Sequence, residues 1–386
     1  MKGERVATYV LDTRTANKRF PGIGRYVQNL SRELGQVLSD GESLVLLREQ
    51  GSLSSSGDQF STSAQIREFS VSTSPFSLRQ QWSLPRSLQE LGASLYHSTY
   101  YLMPYRPNVS TVLTIYDLIP MTYPGSVSVQ ARLVFRPATR LAIRAASHII
   151  TISEATRQHL LELFPVDPGI VTAIPLATDE TFRPQDAATI RRIRHRYDLP
   201  ESYGLYLGSN KPHKNLVRLV EAWSVLVSQW PGPAPSPILV IAGPWDNRYD
   251  APTRRVSQLA LGGHVRFLGP IPERELPGLL SGTEVFVFPS LMEGFGLPVL
   301  EAMSCGTPVA CAQISSLSEV ASEAAAYFDP ENIDDLASSL TKVFTSSGLR
   351  NDLSRRGLAR AATFSWRRTA EETIRIYRAL VDRAVA

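Results

Sequence analysis

The sequence predicts a two-domain α/β protein in which each domain is a doubly wound parallel sheet with helices on both faces. Three observations lead there. The chain has 386 residues, more than one hydrophobic core usually serves, so two domains of roughly 180 residues each are expected. Short apolar runs alternate with stretches of helical period along most of its length, the pattern of parallel strands buried on both faces. Glycines and polar groups gather just after several of these runs, at the sheet edge where open α/β folds collect ligands.

Composition sets outer bounds. Hydrophobic content of 43% and charged content of 20% are ordinary for a soluble globular chain. The two cysteines, Cys305 and Cys311, provide no metal cluster and suit a reducing compartment. The start lacks an apolar signal core and no run of about 18 apolar residues occurs, so a cytoplasmic protein is expected. A net charge of +4 would serve nucleotide phosphates, anionic lipid or nucleic acid, and does not choose among them.

In chain order, Val6 to Leu11 reads as the first strand and Asp12 to Pro21 as a polar, basic loop running into Phe20-Pro-Gly-Ile-Gly-Arg25. The next helix carries apolar residues at 26, 27, 30, 34, 37 and 38, a stripe of helical period. Gly22 and Gly24 lack the third glycine of a dinucleotide fingerprint, Val27 standing in its place, which argues against a nicotinamide cofactor. Leu44 to Leu47 and Ile66 to Val71 read as strands flanking a flexible Ser/Gly-rich loop at 51–64. A helix over Leu78–Leu91 and a strand at Ser94–His97 follow. His97 and the tyrosines of Tyr96-His-Ser-Thr-Tyr-Tyr101 are candidates for lining a ligand site, against ordinary packing.

Val112 to Pro120 reads as the best strand of this half and carries Tyr116 and Asp117. Arg132, Arg136, Arg140 and Arg144 then recur at spacing four on one helical face, with Pro137 expected to kink it. Four like charges in a stripe repel one another unless something anionic lies opposite, such as phosphate-bearing lipid; the alternative is a solvated face. His148–Ile152 and Ile170–Ile174 read as further strands, with Ser153 as the N-cap of a helix between them. Arg191 to Arg196 reads as a basic helical hinge rather than a nucleic-acid tail, since Tyr197 alone offers base stacking.

The second half opens with a strand from Tyr203 to Gly208, the loop Ser209-Asn-Lys-Pro-His-Lys-Asn215 and a helix to Trp230. Strands are expected at 238–243, 265–269, 285–288, 309–311 and 326–328, and helices at about 250–261, 272–281, 298–304, 316–322 and 333–344. Terminal helices are expected at 349–364 and 365–381. The most informative stretch runs from Phe288 to Ala310. Pro298 suits a first helical position and Gly306-Thr307-Pro308 a stop. Gly294 and Gly296 leave bare backbone just ahead of that helix, where amide groups and the helix dipole attract an anion such as a diphosphate. Glu293 in the loop and Glu301 on the first helical turn add hydrogen-bond acceptors for hydroxyls, so a ligand bearing both phosphates and sugar hydroxyls fits.

Glu293 and Glu301, with Gly-Phe-Gly-Leu-Pro between them, resemble the retaining nucleotide-sugar glycosyltransferases of family four, which have the GT-B fold of two Rossmann-like domains facing a cleft. The resemblance implies an acceptor-side domain at 1–190, a donor domain at 191–365 and a final helix, 366–386, crossing back to the first. It implies that Glu293 contacts the transferred sugar and Glu301 the ribose hydroxyls. The backbone of Gly294, Phe295, Gly296 and Leu297 would approach the sugar and diphosphate, and main chain near Ile271 would hold the base. Lys214 would act as cation for the leaving diphosphate, with Lys211 and His213 as helpers and Gly208 at the same loop. Gly22 and Gly24 would face donor phosphate or acceptor with Arg25 assisting, His97 or the tyrosines at 96, 100 and 101 would line the acceptor site, Tyr116 would lie on the acceptor or sugar side, and Asp117 would orient the sugar or acceptor hydroxyl.

Three positions depart from that family: Tyr116 replaces a histidine, His213 an arginine, and Ser209 an arginine that some members place after the glycine. A tyrosine can donate a hydrogen bond but is a poor proton acceptor near neutral pH. No Asp-x-Asp triplet is present, so no metal or cofactor is expected. The implied activity is transfer of a hexose, mannose from a GDP donor as first choice, to a glycan or lipid-linked acceptor in cell-surface polysaccharide synthesis. A non-catalytic nucleotide-sugar binder and a GT-B epimerase or phosphorylase are the alternatives. Family members with membrane-bound acceptors often dock by a basic patch on the first domain, which suggests a peripheral role for the arginine stripe.

Overall fold

The computed structural model describes residues 7–16, 20–51, 65–123, 125, 129–233 and 235–385. They form two units, Met1–Leu176 with Ser365–Ala386, and Ala177–Phe364. Most of the Ser/Gly-rich loop expected at 51–64, and 17–19 of the loop after the first strand, lie outside the described residues.

The first unit runs β1 (Ala7–Asp12), α1 (Pro21–Val37), β2 (Glu42–Glu49), β3 (Ile66–Val71), α2 (Gln80–Glu90), β4 (Leu95–Ser98), β5 (Ser110–Ile115), a one-turn α3 (Ile119–Thr122), α4 (Val129–Ala145), β6 (His148–Thr151), α5 (Glu154–Leu163) and β7 (Val171–Ala173). Its seven strands are parallel, in the order β3-β2-β1-β4-β5-β6-β7. The order reverses between β1 and β4, and the loops leaving those two strands flank the point where a doubly wound sheet opens to ligands. The apolar stripe of α1 is buried at Tyr26, Val27, Leu30 and Leu34, as its period requires.

Two expectations for this unit are corrected. The helix α1 starts at Pro21, because the preset φ of proline opens a helix, so Gly22, Gly24 and Arg25 lie in its first turns and not in a loop. Strand β5 ends at Ile115 and not Pro120; a carboxylate oxygen of Asp117 accepts the Ile119 N–H at 3.0 Å and turns the chain into α3. Pro137 lies inside one continuous helix α4.

The second unit runs α6 (Ala187–Arg196), β8 (Tyr203–Leu207), α7 (Leu216–Ser228), β9 (Ile238–Ala242), α8 (Ala251–Gln258), β10 (Val265–Gly269), α9 (Leu276–Ser281), β11 (Val285–Phe288), α10 (Leu297–Ser304), β12 (Val309–Ala312), α11 (Ser315–Ala321), β13 (Ala325–Phe328), α12 (Ile333–Thr345) and α13 (Ser347–Ala361). Its parallel sheet has the order β10-β9-β8-β11-β12-β13, with the reversal between β8 and β11. Every residue of β8, β11 and β12 is buried, which is why these strands read as unbroken apolar runs.

The division between units falls after Leu176 and not after 190. The segment that follows is tied into the second unit by Thr178 Oγ1 with Ser304 Oγ at 3.0 Å, by the Gln185 N–H on Ser281 Oγ, and by Ile193, buried beside Gly278. Asp186 caps α6 through the Thr189 N–H, and Arg194, His195 and Arg196 sit in its last turn, where the helix dipole favours positive charge. The last helix, α14 (Trp366–Val385), belongs to the first unit. It is held by Thr369 on the Pro175 carbonyl, by Tyr377 on His97, and by Arg378 on both oxygens of Glu42 at 2.8 and 2.7 Å.

Candidate functional site

At the reversal in the second sheet, the loops after β8 and β11 lie side by side and carry opposite charges into contact. Lys214 Nζ donates to Glu293 Oε1 at 2.6 Å, with the side chains 15% and 11% exposed. The ammonium also lies 5.2 Å from the centre of the Phe288 ring. Backbone bonds fix this geometry. The Leu291 N–H donates to the His213 carbonyl at 2.8 Å, clamping one loop to the other. Asn215, at φ +61°, turns the chain into α7, and its amide donates to the carbonyls of Pro289 and Pro330. Asparagine tolerates that left-handed conformation better than most residues.

Beyond Glu293 the chain passes through Gly294 and Phe295 to Gly296, which begins α10 at φ +107°. That φ favours glycine, and a Cβ there would also lie 2.4 Å from Leu317 Cδ2, so the leucine side chain would have to shift. Leu297 and Pro298 open the helix. Pro298 has no N–H and the Val299 and Leu300 N–H groups donate to the Gly296 carbonyl, so among the first helical N–H groups the one of Leu297 has no intrahelical partner. Phe295 is buried and packs edge-on against Phe364, so it contributes backbone and not its ring. Glu301 is the fifth residue of α10 and not in its first turn, and it is 2% exposed. Gly208 packs against Gly243, where a Cβ would come 2.3 Å from the Gly208 carbonyl oxygen at a φ of +124°. Ile271 follows β10, the outermost strand on that side, and is half-buried.

His213 does not supply positive charge. It is 4% exposed, and burial first, then Lys214 and Lys211, hold its pKa at about 3, so the imidazole is neutral. What His213 contributes here is a loop clamp through its backbone carbonyl. Two residues that sequence reading passed over also shape this edge. Buried Asn210 donates to the carbonyls of Asp246 and Tyr249 and accepts the Asp246 N–H, latching the loop after β9. Trp245, on that loop, packs edge-on against Phe267. A polar residue in a Ser-Asn-Lys loop and a tryptophan after a strand were the available signals.

In the first unit the candidates divide. His97 is not a site residue. It is fully buried on β4, its two ring nitrogens meet Tyr377 Oη and Thr114 Oγ1, and burial holds its pKa at about 3. Tyr116 follows β5, its ring edge-on to Tyr26 at 5.4 Å; its hydroxyl is buried without a hydrogen-bond partner among the described residues, and burial raises its pKa well above the usual value. Asp117 is half-buried beside it, with one oxygen engaged in the turn into α3. Arg25 is half-buried on α1. Arg132, Arg136, Arg140 and Arg144 are all exposed on α4, a helix with no acidic residue, and none of them makes an ion pair among the described residues. Val129, Leu133, Val134 and Leu141 of the same helix are exposed as well. Among the described residues no group of three His, Cys, Asp or Glu side chains could hold a metal ion, and no helix is long and apolar enough to cross a membrane.

Comparison with known proteins agrees with this architecture. Residues 21–182 match the family described as Glycosyltransferase Family 4, and residues 190–360 the family described as Glycosyl transferases group 1. The O-antigen chain mannosyltransferase B of Escherichia coli is 30% identical over 305 residues, covering 78% of this chain and 77% of that protein. Among solved structures, sucrose-phosphate synthase from Thermosynechococcus elongatus superposes with a TM-score of 0.74 at 21% identity, over 98% of this chain and 100% of that one. HepE of Anabaena, solved with UDP and glucose, gives 0.74 at 16% identity, over 97% and 100%. With two doubly wound parallel sheets and matches in both halves, the chain belongs to the family-four glycosyltransferases and has the GT-B fold.

Proposed function

We propose that the second unit binds a nucleoside diphosphate hexose and that the enzyme transfers the hexose, with retained configuration, to a hydroxyl of a glycan or lipid-linked acceptor. The observation that carries this reading is the Lys214–Glu293 contact at the β8/β11 reversal, ahead of the start of α10. Diphosphate entering there meets the ammonium and the Leu297 N–H, and sugar hydroxyls meet the Glu293 carboxylate. Mannose is the favoured sugar and GDP the favoured carrier because the E. coli relative is a mannosyltransferase; its name also points to cell-surface polysaccharide as the product. That HepE was solved with UDP and glucose supports a nucleotide-sugar donor in this fold.

In the proposed step the bond from the anomeric carbon to the diphosphate oxygen breaks and a bond to the acceptor oxygen forms on the same face. The acceptor proton passes to the departing phosphate oxygen. Lys214 stabilises the charge that develops on the leaving group, a role that asks for no divalent ion. Tyr116 and Asp117 serve as hydrogen-bonding positions for sugar or acceptor and not as bases. The exposed arginines and aliphatics of α4 suit the surface of an anionic bilayer, where stems and apolar side chains enter the headgroup region and guanidinium groups meet phosphate.

GDP-mannose with a mannoside acceptor, in excess chelator, tests this: the expected product is an α-mannoside, identified by NMR. Consumption of donor without an acceptor alcohol would mean an epimerase, dependence on free phosphate a phosphorylase, and binding without consumption a non-catalytic binder. For α4, flotation with vesicles containing anionic lipid should exceed flotation with neutral vesicles, and equal flotation would reject the docking surface.

A further inference from the structure

The first sheet carries an aromatic cluster that the donor chemistry leaves unused. Phe20 lies between β1 and α1, Phe76 between β3 and α2, and Tyr100 and Tyr101 directly after β4, so the cluster is built from loops at the carboxyl edge of the sheet on both sides of its reversal. Phe20 stacks on Phe76 at 6.1 Å and 27°, and lies 5.4 Å from Tyr100. Phe76 is edge-on to Tyr100 at 6.2 Å, and Tyr100 lies 4.3 Å from Tyr101. The two tyrosine hydroxyls are 3.3 Å apart. Phe76 is 44% exposed, and Trp82, in the first turn of α2, is 65% exposed. The loop is held from below, by Gln80 on the Pro75 carbonyl and Arg14 on the Thr73 carbonyl, so an exposed ring is presented on a braced segment.

We infer that this cluster is a subsite for the acceptor glycan, binding pyranose rings away from the reacting hydroxyl; the inference rests on the proposed transfer to a glycan. A pyranose presents a face of C–H groups and a rim of hydroxyls. Aromatic faces with phenolic hydroxyls at their edge match both, whereas an aliphatic patch would match the first alone. The position adds a reason: a transferase that extends a chain gains from gripping earlier residues of that chain at the ligand edge of the sheet, and binding energy from remote parts of a substrate can be used in the reaction.

The test is calorimetric titration of the full chain with mannotetraose and with methyl α-mannoside, no donor present. The wild type should bind mannotetraose at least tenfold more tightly than the monosaccharide. Phe76→Ala and Tyr100→Ala should each weaken mannotetraose binding about tenfold while GDP binding stays unchanged, and Phe76→Trp should preserve it. Absence of mannotetraose binding in the wild type, or equal affinity in folded variants, overturns the subsite. So does a result in which Phe76→Ala loses flotation on lipid vesicles but keeps sugar affinity, which would give the patch to the membrane. Failure of the proposed function is read separately, as failure to bind any nucleoside diphosphate, and leaves the sugar titration to decide the subsite by itself.

Discussion

Replacing Lys214 by methionine removes the ammonium while keeping most of the stem, and it should affect stability and catalysis by different amounts. The Lys214–Glu293 separation of 2.6 Å corresponds to an attraction of about 6 kcal/mol at an effective dielectric near 20. Desolvation offsets much of this, but leaving one member of a largely buried pair alone still costs about 3 kcal/mol, the low end for such pairs because both side chains retain some exposure. For a unit of this size that is on the order of 10 °C in Tm. Loss of a cation opposite developing charge lowers kcat by about 10²–10³. The double variant Lys214→Met, Glu293→Gln separates the two effects. With neither charge left, its Tm should recover to within a few degrees of the wild type, while kcat stays at or below the lower of the single variants. Differential scanning calorimetry and initial rates with GDP-mannose give both readouts. Recovery of activity together with stability would show that the pair is structural, and the assignment of Lys214 to the leaving group would fall.

Further outcomes follow from other contacts. Below pH 6.5 the unfolded chain takes up protons at His97 and His213, whereas the folded chain refuses them until near pH 3. Stability should therefore fall with decreasing pH, at up to about 1.4 kcal/mol per pH unit for each histidine. Urea titrations at pH 7, 6 and 5 should show a shallower loss for the second unit in His213→Asn, and an identical slope would refute the depressed pKa. Gly296→Ala forces a side chain into φ +107° against Leu317, so the second unit should lose about 2 kcal/mol and bind GDP more weakly; unchanged Tm and affinity would contradict the loop geometry. Tyr116→Phe deletes a buried hydroxyl that has no hydrogen-bond partner among the described residues, so Tm should hold or rise slightly, and a fall of several degrees would mean the hydroxyl is bonded after all.

Much of the fold is legible because the same physics that buries a strand on both faces writes it as a bounded apolar run. Strands β3, β10 and β11 begin and end at the residues the sequence reading chose. Ends fixed by backbone detail were harder. Pro21 opens α1 ahead of its glycines, and Asp117 ends β5 early by capping a turn; neither signal is visible in hydrophobic period. His97 shows the deeper limit. A histidine at the end of a strand carries one sequence signal whether it faces a ligand or a partner in the core, and the deciding partner, Tyr377, is 280 residues away. His213 misled for the opposite reason: its side chain looked like a cation, but its part in the site is played by a backbone carbonyl, which any residue provides.

The proposed binding role of one ion pair in this chain, against a scaffolding role for another, can be argued from how completely each acid is satisfied. An ionised carboxylate can accept about four hydrogen bonds. Asp12, at the end of β1, accepts from the Arg14 backbone N–H, from Arg14 Nε and Nη2, and from Tyr96 Oη, so its capacity is filled. Its partner Arg14 is fully buried and also donates to Thr73 and Gln80. A ligand would have to break bonds to enter that group. Glu293 accepts one side-chain hydrogen bond among the described residues, from Lys214, an ammonium with three donors. A phosphate can therefore approach the lysine and sugar hydroxyls the glutamate without either giving up its buried partner. The pair at the end of β1 should accordingly tolerate no substitution without loss of stability and should be insensitive to nucleotide. The pair at the β8/β11 reversal should instead be protected by nucleotide, in proportion to how tightly it binds the native chain.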